Sequence, residues 1–284
     1  MKTDLLIAIR NIASEPAPSL ASPRKTAPNR ANAMGAALEF YVKDAFSGTL
    51  SGKRLSEKEK IYPQFFSYLG NQNNPPDAII REGDAIEVKK YIGRRSNGIA
   101  LNSSYPKDYL YADSPMITAS CRECEEWTRK DMLYAIGGIE DNRVKSLWFV
   151  YGDCYAASRD TYEKIRDSIA GGIDALPDIE FGETNELGRV NRVDPLGITD
   201  LRIRGMWSIQ HPSRVFRHIP EVSSEADFAL TAVMLKEKYE SFPKESRKTL
   251  ENSKIPGLRI EDIEIQSPNN AAKSLRAKLV RYTR

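Results

Sequence analysis

The chain has 284 residues, 40% hydrophobic and 29% charged, which is enough apolar content for a substantial core and excludes a disordered or fibrous polypeptide. Lys and Arg number 42 against 39 Asp and Glu, a net of +3, so any surface for a polyanion has to come from clustering rather than bulk charge. No apolar run approaches the roughly 18 residues of a membrane span, Met1 to Arg10 lack the pattern of a secretory signal, and the 3 cysteines suit a reducing compartment, which together point to the cytoplasm.

Leu5, Ile9 and Ile12 recur at helical spacing and predict a short amphipathic helix over 3–13. Pro16, Pro18, Pro23 and Pro28 then make 15–29 an extended connector. An N-terminal unit, 1–29, is therefore expected ahead of a single domain spanning 30–284. That domain opens with the clearest helix, 30–46, whose Met34, Ala37, Leu38, Tyr41, Val42 and Ala45 share one face. After the polar stretch 47–75 the period changes from 3.6 to 2, and 77–80 and 85–89 read as two strands joined by a turn at Glu82-Gly83-Asp84. Further along, a helix over 128–139, a strand over 147–151, a helix over 162–176, a β-like stretch over 190–210, an amphipathic helix over 226–239 and a strand over 260–265 are expected. Gly137-Gly138 and Gly171-Gly172 read as helix ends. This mixture predicts an α/β fold with a central mixed β-sheet flanked by helices.

The chemistry signal lies in the predicted hairpin. Side chains alternate along a strand, so Glu87 and Lys89 share a face, and Asp77 at the start of the antiparallel partner can lie beside Glu87. Two carboxylates that close repel unless a cation separates them, and Mg²⁺ suits such hard oxygen donors together with phosphate. Glu39 sits in the apolar stripe of the 30–46 helix, where an unpaired carboxylate is expensive, and is a candidate further member of the site. Asp84 and Glu82 are more simply solvated turn residues. The plain alternative for the triplet is an edge hairpin with a surface Glu87–Lys89 salt bridge, and for Glu39 an N-terminal helix charge near a solvent boundary.

Pro76-Asp77…Glu87-Val88-Lys89 resembles the PD-(D/E)XK nuclease motif. Longer blocks are similar to the NgoPII-type restriction endonucleases: Asn29-Arg30-Ala31-Asn32, Ala37-Leu38-Glu39-Phe40-Tyr41-Val42-Lys43-Asp44, Phe66 to Asn71, Asn74 to Ile79, Gly83 to Lys90, Leu101 to Lys107 and Leu187 to Trp207. The likeness runs from about residue 29 to the C-terminus and fades over the proline-rich connector. It implies a restriction-endonuclease-like core and Mg²⁺-dependent cleavage of both strands of double-stranded DNA at a short palindrome, with GGCC the family's usual site. Asp77 and Glu87 would hold the metal, Lys89 would orient the attacking water and stabilise charge on phosphorus, and no nucleotide cofactor is expected. A palindrome is matched most simply by a homodimer.

Guanine is commonly read by Arg at O6 and N7, and Arg189, Asn191, Arg192, Arg202 and Arg204 lie in a stretch with no lysine. That block is a candidate for base contacts, the alternative being a buried arginine–aspartate network. Asn102, Ser103, Ser104 and Lys107 are candidates for phosphate or base contacts in a polar loop, which is otherwise simply solvated. The basic C-terminal stretch 268–284 offers a footprint for the DNA backbone or a solvated terminal element. Cys121 and Cys124 lack the partners of a zinc site, and His211 and His218 stand alone. Two other readings remain at this level: a non-catalytic DNA-binding protein on a nuclease fold, and a structure-selective repair nuclease.

Overall fold

A computed structural model describes residues 2–15, 30–71, 73–92, 98–141, 143–177, 179–220 and 226–284, without the side chains of 30–33 and 92. Residues 16–29 of the expected connector lie outside the described residues. The chain begins with α1 (Leu5–Ser14), capped by Asp4, whose carboxylate accepts the Ile7 N–H at 2.9 Å. Its apolar face packs against α2 (Arg30–Ser47), where Ala37, Leu38, Val42, Ala45 and Phe46 are buried as the spacing requires. The polar α3 (Leu55–Ile61) buries no residue.

The strands follow as β1 (Phe66–Tyr68), β2 (Ala78–Ile80), β3 (Ala85–Ile92), β4 (Ile99–Asn102) and β5 (Tyr109–Tyr111). After the short α4 (Ala119–Arg122) come β6 (Arg129–Glu140) and β7 (Arg143–Tyr151), then α5 (Arg159–Asp174). The excursion β8 (Gly188–Val190), β9 (Leu201–Ile203) and β10 (Trp207–Ile209) leads through α6 (Pro212–Val215) to β11 (Ala229–Leu235), α7 (Lys236–Ser241) and α8 (Lys244–Glu251). The long hairpin of β12 (Leu258–Ser267) and β13 (Asn270–Thr283) closes the chain.

Among the described residues the main sheet runs β1-β2-β3-β6-β7-β11-β13-β12, with β5 also paired to β6. It is mixed: β3 is parallel to β6 and β11 to β7, while the other neighbours are antiparallel. This is the expected α/β arrangement with a central sheet and flanking helices.

Two expected helices are corrected. Residues 129–140 form β6, and 229–235 form β11, leaving only α7 of the helix expected over 226–239. Both strands lie inside the sheet, and Met132 to Ile139 and Leu230 to Met234 are buried without a break. A strand covered on both faces has no period-2 signature and reads like a buried helix. Gly137 and Gly138 consequently end no helix. They are mid-strand positions where a Cβ would strike Leu38 of α2 (2.6 Å) and Tyr91 of β3 (2.5 Å), so their lack of a side chain lets α2 and the tyrosine sit close to the sheet.

Candidate active site

Hairpin register brings the acidic residues together. Ala78 pairs with Ile86, and the Asp77 amide donates to the Ile86 carbonyl at 3.0 Å, so Asp77 enters the sheet beside Glu87. The Asp77 carboxylate accepts the Val88 N–H at 2.6 Å, which fixes its direction. Behind it stands Gly70, with φ +78°; a Cβ there would collide with the Asp77 carbonyl, so both its conformation and the close approach require glycine.

Glu87 is buried, and its Oε1 meets Lys89 Nζ at 2.6 Å, the same-face pairing expected from strand alternation. Its Oε2 is enclosed with no hydrogen-bond partner among the described residues. An unsatisfied buried carboxylate oxygen is costly and calls for a partner such as a water or an ion. The plain alternative of an edge hairpin with a surface salt bridge does not hold: β3 lies between β2 and β6, and the pair is mostly enclosed.

Electrostatics show how tightly the group is packed. Burial, then Glu87 and Glu39, push the Asp77 carboxyl up to about 8, although Lys89 and the Val88 N–H oppose them. Burial raises the Glu39 carboxyl as well, against Lys43 and Lys89, with Glu87 adding to the rise. Burial lowers the Lys89 ammonium, but Glu87, Asp77 and Glu39 outweigh it and hold its pKa above the ordinary lysine value. In the metal-free protein these carboxylates thus favour the charged form of Lys89.

Glu39 therefore faces the same centre as the hairpin triplet. Sequence reasoning missed Lys43, one turn further on α2, which is buried, donates to the Leu69 carbonyl at 3.0 Å and feels both Glu39 and Asp77. The i,i+4 spacing of Glu39 and Lys43 within an apolar stripe was the available signal. The expectation for Asp84 is corrected: it is buried, not a solvated turn residue, and binds Lys238 Nζ at 2.6 Å and Tyr151 Oη at 2.5 Å. Glu82 stays on the surface, paired with Lys2 at 3.4 Å.

The other candidates lie on two connected features. Asn102 and Ser103 are exposed and Ser104 half-buried, whereas Lys107 is buried rather than solvated. Asn102 pairs with Trp207 between β4 and β10, and Trp207 packs edge-on to Tyr105 (6.2 Å) and Tyr162 (5.7 Å), joining this loop to the arginine excursion. There Arg189 meets Asp200 at 3.3 Å, while Arg202 and Arg204 share Glu186 at 3.0 and 2.6 Å. Asn191 and Arg192 are exposed. The arginine–acid pairing is present, but on an open surface rather than in a buried network.

At the C-terminus, Lys278 pairs with Asp262 at 3.0 Å and Arg281 with Glu261 at 3.0 Å across the final hairpin, so part of that basic charge is internally matched. Cys121, Cys124 and Cys154 are free thiols. His211 is buried against Tyr91, with ring centroids 4.4 Å apart. Among the described residues no helix is long and apolar enough to cross a membrane.

A mixed sheet presenting two carboxylates and a lysine at one hairpin is an arrangement suited to phosphodiester hydrolysis. Comparison with known proteins bears directly on this. The family model of the NgoPII restriction endonuclease matches residues 3–266. The type II restriction enzyme NgoPII of Neisseria gonorrhoeae is 44% identical over 283 residues, covering 98% of this chain and 99% of that protein. No solved structure matches the chain. Enzymes of this class act on double-stranded DNA and generally use divalent metal ions. The chain belongs to the NgoPII restriction endonuclease family and is a type II site-specific deoxyribonuclease.

Proposed function

We propose that this enzyme makes Mg²⁺-dependent double-strand cuts at a short palindrome, GGCC by family resemblance, with Asp77, Glu87 and Lys89 as its cleavage centre. The observation that carries the reading is the crowding of Asp77 and Glu87 around one buried, unpartnered oxygen, Glu87 Oε2, with Lys89 held alongside. The donor set fits the ion. Burial raises the Asp77 carboxyl most and repulsion from Glu87 adds to it, and a divalent cation relieves that repulsion. Among the described residues no group of three or more His, Cys, Asp and Glu is placed to hold a metal, so water and substrate phosphate would complete the coordination.

When bound, Mg²⁺ would supply neutralising charge to the phosphodiester and acidify water. The chain's own groups do the rest. Lys89, kept protonated by its carboxylate neighbours, orients the attacking water and donates to the phosphoryl oxygens as negative charge builds on them. Glu39 and Lys43 support the centre from α2, Glu39 by holding Lys89 charged and Lys43 by tempering the carboxylate repulsion. Asn102, Ser103 and Ser104 contact phosphates or base edges, while Arg189, Asn191, Arg192, Arg202 and Arg204 read guanines in the major groove. The chain works as a homodimer in the cytoplasm, each copy cutting one strand of the palindrome.

Incubating plasmid DNA with the protein and Mg²⁺ tests this. Discrete fragments whose ends map to GGCC, lost on adding EDTA, are expected. Intact plasmid that is merely retarded in a gel, or cutting at branched junctions without regard to sequence, would overturn the proposal.

A further inference from the structure

Lys107 is a buried cation that the cleavage centre above leaves unused. Its main chain is clamped on two sides. The Lys107 amide donates to Tyr134 Oη at 2.7 Å, and Tyr134 stands opposite Glu87 where β6 pairs with β3. The carbonyls of Lys107 and Asp108 lie against Gly152, where any Cβ would collide with both. Held in this way, the residue has a fixed main chain and a fixed direction in which its side chain leaves it.

Among the described residues the Lys107 ammonium is satisfied only by uncharged groups: it donates to Ser104 Oγ and, at 3.2 Å, to the Tyr105 carbonyl. Lys89, by comparison, has a carboxylate in direct contact. Burial lowers the Lys107 ammonium to about 8, and the charges that act on it are Glu87, which raises it, and Lys89, which lowers it. Lys107 therefore borders the same centre from the side of the 99–111 segment. A buried ammonium with no carboxylate partner among the described residues is expensive for the free protein, and that cost is offset when an anion arrives.

We propose that Lys107 is a second catalytic cation, donating from its ammonium to a phosphoryl oxygen of the ester that Lys89 also contacts. The inference rests on Asp77, Glu87 and Lys89 forming the cleavage centre. In the reaction the water oxygen bonds to phosphorus, the P–O ester bond breaks and the departing oxygen ends protonated by the proton that water gives up. Lys107 keeps its own protons throughout and stabilises the charge that accumulates on the phosphoryl group.

The test compares Lys107→Met, Lys107→Gln and Glu87→Ala with the wild type by single-turnover cleavage of a duplex carrying the mapped site. Affinity for the same duplex without divalent ion, and thermal stability, are measured in parallel. Both Lys107 variants are expected to cut roughly 10²-fold or more slowly while binding within about 3-fold of wild type. Their melting temperatures should be equal to or above the wild type's, because an uncompensated buried charge has been removed. Wild-type cutting by either Lys107 variant would overturn the proposal. So would a loss of rate matched by an equal loss of affinity, which is the mark of a DNA anchor, or failure of both variants to fold, which is the mark of a structural lysine. Wild-type cutting by Glu87→Ala would instead sink the reading of the centre itself.

Discussion

The hairpin end that carries Asp77 and Glu87 and the excursion from Phe181 to Ile209 handle charge in opposite ways. At the hairpin, carboxylates and lysines are packed into the sheet, with Glu87 buried and one of its oxygens unpartnered. In the excursion, Arg202 and Arg204 are half-exposed and share Glu186, while Leu196, Ile198 and Met206 stand 81%, 80% and 73% exposed. Charges act strongly on one another where water is excluded and weakly where it is not. The first region therefore maintains a strong local field without any ligand, while the second holds its arginines in weak, exchangeable pairs. On the function proposed above, bond cleavage would draw on the former and sequence readout on the latter.

The sharpest way to break this contrast is to remove the buried charges. Glu87→Ala and Lys89→Ala should each slow cleavage at least roughly 10³-fold while DNA affinity stays near wild type, measured by single-turnover digestion and gel retardation. Cleavage at the wild-type rate in either variant would remove the hairpin from the mechanism. Asp77→Asn should abolish cutting too, yet stabilise the protein in EDTA. The Asp77 carboxyl is raised from 3.8 to about 8, so the folded chain holds that proton more tightly than the unfolded one. Wild-type stability should fall relative to the variant as pH rises through that window, and the gap should be widest at about pH 8 and above. Each kcal/mol of relieved repulsion corresponds to a gain of about 2–4 °C in Tm. A variant that melts below wild type at alkaline pH would show that the carboxylates do not repel as described.

The exposed side should respond differently. Arg202→Ala or Arg204→Ala should cost about 1–3 kcal/mol of discrimination at guanine positions, read by comparing cleavage of the cognate site with singly substituted sites. An unchanged ratio would refute base reading by these residues. The smallest effect belongs to Glu186→Gln, which frees both arginines from their shared carboxylate. Stability should change by less than about 1 kcal/mol, while the salt dependence of DNA binding becomes steeper. A large drop in Tm would mean that the pairing is structural after all.

What was legible in the amino-acid sequence follows from where a local pattern exists. The α2 stripe carries a helical period, and residue parity along β3 puts Glu87 and Lys89 on one face, where they pair, although β2 and the start of β3 are buried without alternation. By contrast, β6 and β11 are buried on both faces, so the period that separates strand from helix is missing. Asp84 looked like a solvated turn residue because Lys238, which covers it, comes from far along the chain. Lys107 sits in a polar run that reads as an open loop, and Tyr134 of β6 and Gly152, just past the end of β7, hold it inside. Long-range covering of a local feature is what single-sequence patterns do not carry.

The central claim is that Asp77 and Glu87 hold a divalent ion against the ester to be cut. Crystals of the enzyme with its DNA site and Mn²⁺ in place of Mg²⁺, measured at the manganese absorption edge, test it directly. An anomalous peak coordinated by both carboxylates and a phosphate oxygen is the predicted result; a peak bound elsewhere, with Asp77 and Glu87 free of metal, would contradict it.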